Sequence, residues 1–288
     1  MIKTILVPAS GDASDTGCLD AALTVARAFG AHIDVLHVRI DPVDVAIALT
    51  SEPSGAPLIE EMIAQLEQDA AQREAATRRV FEDFCAREKL PILDAPTSDG
   101  SAPSAQWHVA TGDETGTIVA FGRAADLIVA GRGIDHSVIN RSVLEATLLE
   151  TGRPLLIPGR QSTSYLVGGT VAIAWKATPQ AARANAASMP LLFRAKEIVI
   201  MTVAEGDEPE ESADRLVRNL AWHGLRTSKQ NLHPGDRSAV ETLLAAAQEV
   251  ASLLVMGGYG HSRVREWIFG GFTQRVLEDA PLPVLLAH

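Results

Sequence analysis

A chain of 288 residues, 47% hydrophobic and 21% charged, has room for about two ordinary cores and excludes a disordered, collagen-like or disulfide-scaffold protein. Its net charge of −11 disfavours nucleic acid and anionic lipid as partners, and its two cysteines, Cys18 and Cys85, fit reduced thiols. No apolar run reaches the ~18 residues of a membrane span, and the start, Met1 to Pro8, is interrupted too soon for a secretory signal, so a cytoplasmic protein is expected.

In chain order, short apolar runs predict strands near 2–8, 32–38, 104–110, 126–130 and 154–157. Helical patterns fall between them, near 14–29, 58–88, 113–123 and 142–151. Cys18 falls in the apolar pattern of the first helix and reads as buried, whereas Cys85, near the end of the long charged helix, reads as exposed. The alternation then starts again. Strands are expected near 169–174, 197–203, 226–231, 252–256 and 283–287, with helices near 179–193, 209–222, 237–250 and 271–279. Glu205 to Glu211 is a charge run that reads as the solvated start of a helix, its acids near the positive dipole end.

The second series resembles the first. Ile5-Leu6-Val7-Pro8 matches Val171-Ala172-Ile173-Ala174 at an offset of 166, Ala125 to Gly131 matches Ala251 to Gly257 at 126, and Pro154-Leu155-Leu156-Ile157 matches Pro283-Val284-Leu285-Leu286 at 129. The fall in offset assigns about 40 extra residues to the first copy, between its first and fourth strands. The polar stretch Gly159 to Ser164 reads as a linker, giving domains 1–160 and 165–288. Apolar strands alternating with helices predict an α/β fold: two doubly wound, five-stranded, mostly parallel sheets with helices on both faces. Ligands of such folds bind beyond the carboxyl ends of the strands, where strand order switches.

The strongest chemical signal is the loop from Gly257 to Thr273. It begins where an apolar strand ends and finishes where a helix begins. Gly257, Gly260 and Gly270 permit close approach of a ligand to backbone N–H groups. Gly270 and Gly271 open the last helix, whose free amides favour a phosphate. Thr273 adds a hydroxyl or a cap; Arg263 adds positive charge, and His261 is a candidate phosphate donor. The corresponding loop of the first copy, Gly131 to Ser142, is shorter by three residues and lacks the paired glycines, and Asp135 and Glu145 oppose phosphate, so no nucleotide is expected there. His37 reads as a satisfied core or rim histidine. The histidines offer no His-x-x-x-His spacing, the cysteines no Cys-x-x-Cys pair, and no nucleophile elbow appears.

Gly257, Gly260 and Gly270 fit the spacing Gly-x2-Gly-x9-Gly, by which the chain resembles the universal stress protein family in its tandem form. The run from Val276 to Leu286 also resembles that family's last helix and strand. The resemblance implies an adenine nucleotide alpha hydrolase-like fold and a stress-response or signalling role. It implies ATP, with magnesium, as the ligand: phosphates in the second-half loop, ribose and adenine at Trp175, Lys176 and Val203. It also implies domains pairing through their last strands, with a homodimer of chains left open. Two positions depart from the family: Gly271 stands where Ser or Thr is usual, and Lys176 where ATP-binding members carry an aspartate. Lys176 cannot accept hydrogen bonds from ribose hydroxyls; it pairs with phosphate or sits in solvent. Trp175 stacks on adenine or covers the sheet end. With no general base and no magnesium carboxylate evident, a nucleotide binder rather than an enzyme is expected, the alternative being an interaction scaffold that binds no nucleotide.

Overall fold

The computed structural model describes residues 1–39, 41, 56–96, 102–132, 138–159, 166–203, 211–259 and 271–288. The first half runs β1 (Thr4–Pro8), α1 (Ser14–Phe29), β2 (His32–Arg39), α2 (Ala56–Glu88), β3 (Ser104–Thr111), α3 (Glu114–Gly122), β4 (Leu127–Val129), α4 (Val138–Glu150) and β5 (Leu155–Ile157). The second runs β6 (Thr170–Ala174), α5 (Pro179–Leu192), β7 (Glu197–Val203), α6 (Glu211–Trp222), β8 (Thr227–Leu232), α7 (Ala239–Val250), β9 (Leu253–Gly257), α8 (Gly271–Asp279) and β10 (Val284–Ala287). Predicted elements and observed ones agree to within a few residues; the helix expected from 142 begins at Val138. Residues 209–210 of the helix expected at 209–222 lie outside the described residues.

The two five-stranded halves join through their last strands into one sheet of ten in the order β3-β2-β1-β4-β5-β10-β9-β6-β7-β8. Every pairing is parallel except the central one, where β10 runs antiparallel to β5 with Val284 opposite Ile157, Leu285 opposite Leu156 and Leu286 opposite Leu155. These are short runs of apolar residues buried on both faces, so their remaining edges are satisfied only by another strand. Successive strand residues feed opposite cores: Ile5 and Val7 join one layer and Leu6 the other, as do Val171 and Ile173 against Ala172. The first layer is built under α1, α2, α5 and α6, the second under α3, α4, α7 and α8.

Caps fix several helix starts at the sheet's carboxyl edge. Thr178 accepts from the Ala181 amide ahead of Pro179, Asp113 accepts from Gly116, and Ser238 and Glu241 form a reciprocal capping box. The 33-residue α2 stands where the second half has the 12-residue α6. Its buried side chains include Thr77, Phe81, Phe84 and Cys85, so the expectation of an exposed Cys85 is overturned. Their spacing of three to four residues is the helix's inner face. Burial pushes the Cys85 thiol up to about 11 and the Cys18 thiol higher still, which removes the thiolate at neutral pH.

Candidate functional site

In each half the first strand has neighbours on both sides that its chain reaches in opposite directions. β1 lies between β2 and β4, and β6 between β7 and β9. The crevices beyond these strand ends are the two candidate sites.

The first crevice, open to solvent, is lined by Ser10, Asp12, Asp15, Leu36, Glu114, Ile118, Gly131 and neighbours. Its floor is already engaged by the chain itself. Asp15, 4% exposed in the first turn of α1, folds back on the loop after β1. Its carboxylate accepts from the backbone N–H of Ser10 at 3.2 Å and of Gly11 at 2.8 Å, and from the Ser10 hydroxyl at 3.3 Å. Burial raises the Asp15 pKa against the pull of those bonds, and burial also raises that of Glu114 across the crevice. An anion entering here meets amides already taken and acids in place. Asp15 was not among the residues picked out from sequence, since an acid in a first helical turn reads as a dipole complement. His37, buried, bonds the Ala9 carbonyl through Nδ1 at 2.9 Å, the satisfied histidine expected.

The second crevice lacks the buried acid of the first. Ala181 stands where the repeat offset would place the counterpart of Asp15. Trp175 and Lys176 follow β6, Val203 ends β7 and Gly257 ends β9, so four of the candidate residues share one edge of three adjacent strands. Trp175 is half-buried against the core and its backbone N–H donates to the Met201 carbonyl, while Lys176 is exposed. Thr273, buried in the first turn of α8, accepts from the Tyr259 N–H at 3.1 Å and thereby fastens the start of that helix to the end of β9. Among the described residues, nothing lies within 4 Å of where a Cβ on Gly271 would stand. Gly260, His261, Arg263 and Gly270 lie outside the described residues. The demand for glycine at 257 has a packing cause: a Cβ there would sit 2.5 Å from the Ala181 nitrogen in the first turn of α5. Among the described residues, the buried Trp175 Nε1 and Gln180 Oε1 have no hydrogen-bond partner.

The halves also meet at their loops. Tyr259, a non-glycine residue at φ +50°, donates its hydroxyl to Glu145 of α4 at 2.9 Å. Burial and the Glu145 carboxylate push the phenol's pKa up. Arg141 of α4 pairs with Glu278 of α8 at 3.5 Å. Arg132, at the start of the first-half loop, donates to the carbonyls of Val276 and Leu277 in the last turn of α8 and to that of Pro158. It thus satisfies the Leu277 carbonyl, which Pro281 four residues on cannot, and adds to the bond that the Val276 carbonyl accepts from the Ala280 N–H. Neither Tyr259 nor Arg132 was singled out from sequence. Among the described residues no group of His, Cys, Asp and Glu is placed to hold a metal ion, and no helix is long and apolar enough to cross a membrane.

Two doubly wound α/β units in tandem, each with a crevice at its switch point, define the class: a protein of the adenine nucleotide alpha hydrolase-like fold. A model of the universal stress protein family matches residues 1–146 and 172–288, and the chain belongs to that family. Among solved structures it is similar to a universal stress protein from Archaeoglobus fulgidus, with 19% identity, 99% of this chain and 97% of that one covered, and a TM-score of 0.64. It is also similar to a Pseudomonas aeruginosa protein assigned to the same family, at 14% identity, 99% and 93% coverage and a TM-score of 0.56. A functionally unknown P. aeruginosa protein shows 15% identity, 99% and 92% coverage and a TM-score of 0.55. At such identities these likenesses concern the fold. No curated protein sequence matches the chain.

Proposed function

We propose that the second half binds an adenine nucleotide, ATP with magnesium, and that the chain acts in stress response or signalling as a binder rather than as an enzyme. The observation that carries this reading is the pair of unpartnered buried atoms, the donor Trp175 Nε1 and the acceptor Gln180 Oε1, beside a crevice with no acid at the Asp15 position. A buried polar group without a partner costs about 1–3 kcal/mol, which a polar ligand at that place would relieve. The amide-bearing start of α8, with no described residue within 4 Å of a Cβ on Gly271, and the exposed Lys176 suit phosphate, while Val203 and Trp175 supply apolar surface for a base. In the first half the amides of the loop after β1, the counterpart of the loop that holds Lys176, are occupied by Asp15, which supports a single nucleotide per chain.

The test is isothermal titration of nucleotide-stripped protein with ATP and magnesium, beside Gly260→Asp. Micromolar binding at one site per chain, lost in the variant, is the expected result. No binding by folded protein overturns the reading. It would leave an interaction scaffold in which Lys176 and Gly271 mark the lost site.

A further inference from the structure

The outer face of α6 carries a feature that nucleotide binding does not use. The helix buries Ala213, Leu216 and Leu220, so its opposite stripe holds Arg215, Arg218 and Trp222 at spacings of three and four residues. Trp222 is 91% exposed and Phe193, at the end of α5, is 56% exposed. His223 meets the Phe193 ring edge-on with centroids 6.2 Å apart, and the next residue, Arg194, places its guanidinium 4.8 Å from the centroid of Phe29. An aromatic strip therefore crosses from the second half to the first along the amino-terminal ends of the strands. Arg215, Arg218, Arg226 and Lys196, all exposed, border it, and among the described residues no carboxylate pairs with any of them. The neighbouring Asp214 is held instead by Lys229.

We infer that this strip is a docking surface for a short acidic segment of another protein, one that carries an apolar residue to cover Trp222. Tryptophan and arginine are the residue types that dominate interface energetics, and an uncovered indole forgoes its burial in the free chain. Charge complementarity fixes the class of partner. The patch is basic on a chain of net charge −11. A short acidic segment feels the local field within a Debye length of about 8–10 Å. A long nucleic acid would extend beyond the patch over negative surface. The strip lies at the opposite edge of the sheet from the crevices, so it leaves them accessible while occupied.

The test is selection of random displayed peptides against the full chain, with hits measured by fluorescence anisotropy against wild type, Trp222→Ala and the double variant Arg215→Ala/Arg218→Ala. All three positions are exposed, and thermal unfolding confirms that each variant is folded. The expected result is a set of acidic peptides with a shared apolar position, weakened about tenfold or more by either variant and by added salt. No enriched peptide, enriched peptides that are not acidic, or hits that bind all three proteins equally overturns the inference. So does a thymidine oligonucleotide that binds the strip more tightly than the peptides, which would assign it to single-stranded nucleic acid.

Discussion

The two crevices are built by the same succession of strands and helices and are chemically opposite. In the first, a buried carboxylate, Asp15, occupies the amides of the loop after β1. In the second, Ala181 takes that place. Among the described residues, buried polar atoms without partners occur in both halves, Trp107 Nε1 and Thr147 Oγ1 in the first and Trp175 Nε1, Gln180 Oε1 and Asn185 Oδ1 in the second. What survives in both is packing. A Cβ on Gly131 would collide with Ser14 and Cys18 of α1, and one on Gly257 with Gln180 and Ala181 of α5. Each glycine lets the fourth strand of its half end against the first turn of that half's first helix. The comparison separates a glycine needed by the fold from residues free to change with the ligand.

The sharpest way to break it is at those glycines. Gly257→Ala should cost about 3 kcal/mol in denaturant unfolding, because the added methyl meets helix backbone 2.5 Å away. Gly131→Ala should cost less, about 1–2 kcal/mol, since side-chain ends of Ser14 and Cys18 can yield. Equal losses would show that the two turns are alike in tightness and would remove this contrast. Next in size, Arg132→Ala removes three hydrogen bonds to carbonyls and should lower stability by about 2 kcal/mol, measured the same way.

A pH series sharpens the contrast between Asp15 and Ala181. The folded-state pKa of Asp15 is raised, chiefly by burial, so the folded protein holds the proton more tightly than the unfolded chain. Its contribution is therefore fully present below the ordinary carboxylate range and is lost as pH rises through the raised value. Unfolding free energies of wild type and Asp15→Asn should diverge across that window, with wild type falling more steeply. Parallel curves would mean that the loop amides offset the burial. The smallest effect is expected at the seam: Tyr259→Phe, which leaves Glu145 without its phenol donor, should cost about 1 kcal/mol in thermal or denaturant unfolding.

Much of the fold was legible because its inner strands are apolar on both faces and its helices are not. Ile5 to Val7 and Val171 to Ile173 announce themselves as buried strands, and their repetition reveals the tandem. Cys85 was misplaced for a physical reason. The long α2 is charged on most of its surface, and the inner stripe of Thr77, Phe81, Phe84 and Cys85 is legible only when traced by helical period rather than by local polarity. The site was legible in position and less so in content. The spacing of Gly257, Gly260 and Gly270 locates the loop. Nothing in the sequence around Asp15 says that its side chain turns back on Ser10 and Gly11, or that Arg132 reaches residues more than a hundred positions away. Those are tertiary bonds without a local pattern.

Because β5 and β10 belong to one chain, the seam between the halves does not dissociate on dilution. Two separate subunits meeting on such strands would depend on concentration, whereas a short connection holds these at an effective concentration of order millimolar or above. The covalent link also frees the seam from symmetry. In a pair of identical subunits each substitution is made twice, and an arginine at this position would have to suit both sides. Here Arg132 reaches across from one side while Gly258, its counterpart by the repeat offset, lies against Leu148 on the other. One half can specialise as a support while the other keeps a site.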